Sequence, residues 1–333
     1  MNEFALTLLH WFQENGRDLP WRQTRDPYAI WLSEIILQQT QVKQGWAYWE
    51  RFMAKWPTVE QLAAATEDEV LRLWQGLGYY SRARNLHFAA KQIVEMGGFP
   101  TTIEGIKSLK GVGDYTAAAI GSIAYDLPAA VVDGNVYRVL SRHFGISTPI
   151  NSTEGKKEFA LLAQNLLLPA LDREGKGAGL YNQAIMDFGA IQCTPSSPDC
   201  ANCPLMETCV AFREDKVGEL PVKLKTLKVK ERHLTYVYVR FQSMTAIHRR
   251  GEGDIWQGLY EPLLVEQVPA GAVLLRQDVK HVLTHRILRA DFWLWEPAER
   301  PVLPDDYIWI KEAELDDYAK PRLIELLLES LSY

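Results

Sequence analysis

The chain has 333 residues, 47% hydrophobic and 23% charged, the make-up of an ordinary globular protein with length for two or three cores and no need to borrow stability from a partner. No apolar run approaches the roughly twenty residues that span a bilayer, and the opening MNEFALTLLHWF has neither a basic n-region nor a small-residue cleavage site, so the expectation is a cytoplasmic protein without a membrane partner. A formal net charge of -6 argues against broad non-specific binding to nucleic acid, which draws on Lys and Arg; any such partner must be met by a local concentration of cations.

From Asn2 to about Phe212 the pattern is helical. Start signals recur at Asp26 before Pro27, Thr58 with Gln61, and Thr66 with Glu69, and Gly97-Gly98 before Pro100 is a stop. The helix over Tyr28–Thr40 carries Glu34, whose neighbours one turn away are Ile30, Trp31 and Leu37. An acid on an apolar face has no polar stripe to join, and burial raises a carboxyl pKa and keeps its proton available. Further on, Leu109-Lys110-Gly111-Val112-Gly113 joins two predicted helices, its glycines freeing backbone N–H groups to face a phosphate. A GxG between helices is by itself a common turn. About twenty residues later Asp133 ends the apolar run Val131-Val132 and opens a helix. As an N-cap it would be held by backbone N–H groups, with a lowered pKa, and Asn135 could support its charge. Two carboxylates with pKa values pushed apart are the acid and the anion of a glycosidase.

All four cysteines follow, as Cys193-x6-Cys200-x2-Cys203-x5-Cys209, a loop stiffened by Pro195, Pro198 and Pro204. Four thiolates in one short loop argue for metal ligation, and with only one CxxC the two paired knuckles usual in structural zinc are missing, although zinc stays open as the alternative. Between Lys216 and Arg232 lies a basic strap, with Lys223, Lys225, Lys228 and Lys230 against only Glu219 and Glu231; alone it reads equally well as a solvated linker. After it the period changes to two, at Thr235–Arg240, Gly258–Tyr260 and Asp291–Trp295, and a helix is expected from Asp317 to the end. The expected divisions are a helical domain 1–215, a basic linker 216–232 and an α+β domain 233–333.

The cysteine loop resembles that of the endonuclease III superfamily, and the order hairpin then Asp133 resembles its helix-hairpin-helix and catalytic aspartate. More specifically, Leu-Pro-Trp-Arg at 19–22, Trp-Leu-Ser-Glu-Ile-Ile-Leu-Gln-Gln-Thr at 31–40 and Gly-Leu-Gly-Tyr-Tyr-Ser-Arg-Ala-Arg-Asn at 76–85 resemble the MutY-type adenine DNA glycosylases. That resemblance implies a multidomain protein: an all-α helix-hairpin-helix glycosylase core with a 4Fe-4S loop, and a C-terminal α+β MutT-like (Nudix-like) domain. It implies Glu34 as general acid, Asp133 as the carboxylate that stabilises or traps the sugar cation, and Tyr115 and Asn135 as transition-state supports. Trp21, Arg22, Leu37 and Gln183 would surround a flipped adenine. Gln39 and Tyr79 would wedge into the base stack, with Thr40 and the hairpin residues Leu109, Gly111, Val112 and Gly113 on the DNA.

In relatives that also nick the strand, the position of Tyr115 is a Schiff-base lysine; a tyrosine cannot form that imine, so a monofunctional enzyme is expected. The C-terminal half resembles the MutT-like 8-oxoguanine-sensing domain through Ile255–Tyr260 and Lys280–His285. The family's Phe-Ser-His tip reads Leu283-Thr284-His285 here, keeping the hydroxyl of Thr284 and the imidazole of His285 without the aromatic. The acidic pyrophosphohydrolase signature is absent, so binding without nucleotide hydrolysis is expected. The implied partner is double-stranded DNA with 8-oxoguanine·A or G·A mispairs, bound by a monomer. The competing expectations are a pyrimidine-damage or G·T-mismatch glycosylase of the same fold and a non-catalytic iron–sulfur DNA-binding protein; a pyrimidine offers no N7 for Glu34, and a binding module gains nothing from a buried acid. An RNA-modifying iron–sulfur enzyme would need a glycine motif or a three-cysteine radical signature, and the chain has neither.

Overall fold

A computed structural model describes residues 3–172, 175, 177–224 and 229–331; Lys225 and Lys228 of the basic strap lie outside the described residues. Contacts divide the chain into two compact units. The first holds Met1–Trp49, Trp56–Glu60 and Phe88–Lys225; the second holds Glu50–Lys55, Gln61–His87 and Thr226–Tyr333.

The first unit is helical. Helix Pro27–Leu37 starts where Asp26 accepts from Tyr28 N at 3.0 Å and Pro27 sets the first turn, and every residue from Tyr28 to Ile36 is buried. It packs on helix Asp114–Tyr125, which follows helix Ile103–Lys107 across the hairpin. Leu109 and Val112 of that hairpin are buried, and Gly111 takes φ 80°, a left-handed conformation that spares glycine the Cβ penalty. Gly113 caps the second helix without a side chain, so no side-chain oxygen competes for the first N–H groups. Helix Gly134–Phe144 begins at Asp133 and ends at Gly145. Phe4, Leu8, Val131, Val136, Phe159, Tyr181 and Phe188 belong to the core these elements share. Helix Ala178–Asp187 runs into a π-helical turn, Phe188–Gln192, that delivers the chain to Cys193. At Gly189 a Cβ would stand 2.8 Å from the Asn135 carbonyl oxygen, so only glycine lets this turn press against the start of the Asp133 helix.

Among its described residues the second unit carries a seven-stranded mixed sheet: β1 Lys230–Phe241, β2 Met244–Arg249, β3 Tyr260–Glu261, β4 Leu263–Leu264, β5 Val273–Val282, β6 Arg286–Trp295 and β7 Tyr307–Lys311. The order is β3-β2-β1-β6-β5, with β4 also on β1 and β7 on β2. β1 and β6 run parallel, Lys230 opposite Arg286 through Val239 opposite Trp295, and the other pairs are antiparallel. Alternation divides β1 between two faces: Tyr236 and Tyr238 pack with Phe292, Leu323 and Leu327, and Val237 and Val239 with Leu263, Trp293 and Trp309. The terminal helix corrects the expected start at Asp317. Glu312–Asp317 form a 3-10 turn and the α-helix spans Arg322–Ser330, because Pro321 disfavours helical backbone at Lys320. The helical segment Gln61–His87 belongs to this unit through Arg249 with Glu67 (2.8 Å) and Asp68 (3.0 Å), and Arg84 Nη1 to the Gln257 carbonyl at 2.7 Å.

Candidate active site

In the helical unit a cavity of about 360 Å³ is lined by Glu34, Asp133, Tyr115 and Asn135, together with Trp21, Arg22, Leu37, Gln183, Gln39 and Thr40. Residues spread from 21 to 183 are thus gathered on one space, which is large enough for a purine nucleoside. Glu34 projects from the buried helix and is only 9% exposed. Its Oε2 accepts from Tyr115 Oη at 2.9 Å. Burial, with a smaller push from the charge of Asp133, raises its carboxyl to about 7 against the opposing Tyr115 hydrogen bond and Arg22 charge. The Tyr115 hydroxyl is itself raised well above 10, first by burial and then by the two carboxylates, so it stays a neutral donor.

Asp133 is the N-cap of helix Gly134–Phe144. Oδ1 accepts from Val136 N at 2.8 Å and Oδ2 from Asn135 Nδ2 at 2.8 Å. The expected lowering of its pKa is corrected: burial raises it, outweighing the Val136 and Asn135 hydrogen bonds and the Arg138 charge. Both carboxylates are therefore raised instead of being driven to opposite sides of their ordinary range. What separates them is their donors, since Asp133 has hydrogen bonds on both oxygens and a guanidinium near by, all favouring the anion.

Arg138 ties this turn to the cysteine loop. Its Nη2 donates to Asn135 Oδ1 at 2.8 Å and to the Gly189 carbonyl at 2.5 Å, and its Nε to the Cys193 carbonyl at 2.6 Å. One turn on, Arg142 donates to Cys193 Sγ at 3.4 Å and to the Thr194 carbonyl at 2.8 Å. Cys193, Cys200, Cys203 and Cys209 are all free thiols lining one small cavity. Among the described residues no three His, Cys, Asp or Glu side chains converge as a single metal ion requires. Four thiols facing a shared space, with two arginines beside them, fit the donor set and negative charge of a thiolate-held cluster.

Sequence reasoning missed the support under this cavity. Asp187, fully buried, accepts from Arg22 Nη1 at 2.7 Å and Nη2 at 2.8 Å, from Arg17 N at 2.9 Å and Nε at 3.0 Å, and closely from Arg17 Nη2. Burial opposes its ionisation, but the Arg22 and Arg17 hydrogen bonds prevail and hold its carboxyl below the ordinary range. Arg17 also lines the cavity, and lies two residues before the Leu-Pro-Trp-Arg motif; Asp187 had no local signal. Trp21 is held edge-on by Trp49 at 5.7 Å and Trp46 at 6.0 Å. An activity that needs protonated Glu34 should fall about tenfold per pH unit above about 7, read from the pH profile of single-turnover rates. The same shift makes Glu34's contribution to stability full below its ordinary 4.5 and lost as pH rises through about 7.

Gln39 and Tyr79 share a backbone peculiarity: both adopt left-handed conformations, with φ 56° and 46°. For a bulky side chain this costs about 1–3 kcal/mol and marks a site where surrounding structure imposes a direction. Tyr79, 46% exposed with Arg82 stacked on its ring, lies in the second unit. There it lines a cavity of about 540 Å³ with Thr284 and His285, and its hydroxyl hydrogen-bonds closely to Thr284 Oγ1.

Residues 32–164 match the HhH-GPD superfamily of base excision DNA repair proteins, and residues 235–330 match the NUDIX domain. The chain is 35% identical over 260 residues to the adenine DNA glycosylase of Buchnera aphidicola subsp. Schizaphis graminum, covering 77% of this chain and 73% of that one. It is 45% identical over 228 residues to that of Mus musculus, across 65% of this chain and 43% of the longer mouse protein. Among solved structures, a thermostable thymine-DNA glycosylase superposes with a TM-score of 0.57 at 32% identity, over 63% of this chain and 95% of that one. A trapped endonuclease III–DNA covalent intermediate, at 21% identity and TM-score 0.53 over 63% of this chain and 94% of that one, shares the fold. The chain belongs to the adenine DNA glycosylase family of the HhH-GPD superfamily.

Proposed function

We propose that the chain removes adenine mispaired with 8-oxoguanine or guanine in duplex DNA, leaving the strand intact. The observation that carries this reading is a buried Glu34, its carboxyl raised to about 7, and a hydrogen-bonded Asp133 on one purine-sized cavity. Tyr115 engages Oε2 of Glu34, leaving Oε1 to carry the acidic proton. Transfer of that proton to N7 lets the C1′–N9 bond break with neutral adenine as leaving group. Asp133 faces the resulting sugar cation, and water adds its oxygen to C1′ and releases a proton that restores Glu34. Trp21, Arg22, Leu37 and Gln183 would enclose the base, Gln39 and Tyr79 would fill the stack it leaves, and Thr40 with Leu109, Gly111, Val112 and Gly113 would hold the backbone.

In this reading the helical domain expected over 1–215 is the glycosylase, although Gln61–His87 group with the second unit; Lys230–Arg232 of the expected linker 216–232 open β1, and the domain expected over 233–333 senses the opposite purine through Thr284 and His285. Cys193, Cys200, Cys203 and Cys209 would hold a 4Fe-4S cluster, which when bound would cross-link the loop that Arg138 and Arg142 contact. Aerobically purified protein is then expected to absorb near 400 nm with about four irons per chain; stoichiometric zinc without colour would reject the assignment.

The test is an excision assay on 8-oxoguanine·A, G·A, T·A and G·T duplexes. The expected result is adenine release from the first two only, with strand cleavage appearing only after heat or alkali. Thymine release from G·T, or inactivity on both adenine mispairs, would discard the reading. The likeness to a thymine-DNA glycosylase makes the G·T arm necessary, while the family relatives and a proton held for a purine N7 favour adenine.

A further inference from the structure

In a chain of formal net charge -6, the second unit concentrates cations beside the Thr284–His285 cavity. The organising group is Asp254, which lines that cavity with Arg286 and Arg84. Its carboxylate accepts from Arg232 Nη1 at 2.5 Å, Arg250 Nη2 at 2.7 Å, Arg286 Nη1 at 3.0 Å and the Ile255 N–H at 2.8 Å. Arg250 is buried, and its Nη1 binds the equally buried Glu261 at 2.5 Å. Three guanidiniums thus meet two carboxylates, leaving one positive charge in excess, with Arg84 a further cation on the same cavity.

The arginines are not equivalent. Arg250 is consumed as a buried strut, whereas the Arg232 and Arg286 side chains are 36% and 39% exposed. The sheet explains their proximity: Arg286 opens β6 opposite Lys230 in the parallel β1, and Arg232 is two residues further along β1, on the same face as Lys230. Of the Arg286 donors only Nη1 is engaged among the described residues, so Nε and Nη2 keep a planar fork for an anionic ligand.

We infer that Asp254 presents Arg286 and Arg232 as a pre-oriented guanidinium pair that binds a phosphodiester of the DNA strand carrying the purine opposite the adenine. This rests on the reading above that the Thr284–His285 cavity receives that purine. A carboxylate that fixes two forks removes part of the ordering cost of binding, and a cation focused in one place serves DNA where the net charge opposes it. Phosphate is favoured over the base because the guanidiniums are held at a sheet end by an ion pair, an arrangement that positions a strand without reading its sequence.

The test measures duplex binding by the full chain carrying Glu34→Gln, so that substrate is not consumed, from 50 to 200 mM salt on 8-oxoguanine·A and G·A duplexes. Arg286→Gln and Arg232→Gln should each flatten the slope of log K against log salt by about 0.9 and weaken both duplexes by the same factor. Arg286→Lys should keep the slope. Melting temperatures within a few degrees of the parent show that the variants fold, and Arg232 and Arg286 serve as independent tests of one clamp. Unchanged slopes in both Gln variants would overturn the inference, as would a loss confined to the 8-oxoguanine duplex, which would make Arg286 a base contact. Thr284→Ala and His285→Ala probe the underlying reading separately: they should reduce preference for 8-oxoguanine without altering the salt slope.

Discussion

Glu34→Gln is expected to lower the single-turnover rate of adenine release by about 10²- to 10⁴-fold while leaving duplex affinity within a few-fold of wild type. The reason is geometric. Gln keeps the shape and can still accept from Tyr115, but it has no proton to deliver, and among the described residues the other carboxyl lining the cavity is Asp133. Asp133 cannot substitute, because both its oxygens are occupied by donors. The pH profile separates this account from a structural one. Wild type should lose activity as pH rises through about 7, and the residual activity of Glu34→Gln should lack that limb. Retention of the limb in the variant would mean that another group supplies the proton.

Asp187→Asn should be the most destabilising single substitution around the cavity. Asp187 is fully buried and is the shared carboxylate partner of Arg22, itself only 12% exposed, and of Arg17, which is about one-third exposed. Removing one partner of such a pair strands charge in a medium that cannot solvate it, at about 3–5 kcal/mol. Solvent screening of Arg17 places the expectation at the lower end, about 3 kcal/mol, read as a shift in the denaturant midpoint at unchanged slope. The sign with pH is opposite to that of Glu34. Because Asp187 is held below the ordinary carboxylate range, its contribution is present at neutral pH and lost as pH falls through its folded value. A second effect follows at the site: Arg22, no longer paired, would stabilise ionised Glu34 more strongly and move the activity limb to lower pH. A variant as stable as wild type with an unmoved limb would show that the Asp187 pair is dispensable.

Several chemical parts of the site are local properties of the chain and could be read from it. Glu34 among apolar neighbours one turn away, the glycine hairpin and the clustered cysteines each depend on spacing within one short segment, whereas the significance of Tyr115 came from the family resemblance. The terminal helix misled the same logic because Pro321 interrupts a continuous apolar pattern and shifts the start to Arg322. β5 escaped notice because much of it is exposed and bulged, leaving weak alternation to detect.

Other features exist only once the chain has closed on itself. Arg17 meets Asp187 across 170 residues, Arg138 reaches the Cys193 carbonyl across 55, and Gln61–His87 group with strands that begin at Lys230. The upward shift of Asp133 belongs here too. Capping donors are encoded in the adjoining residues and argue for a lowered pKa, but desolvation sums over everything packed nearby, and that sum decides the sign. The sequence by itself determined which acids and thiols stand at which spacing; the tertiary structure decided how much water each one loses and which distant charge stands beside it.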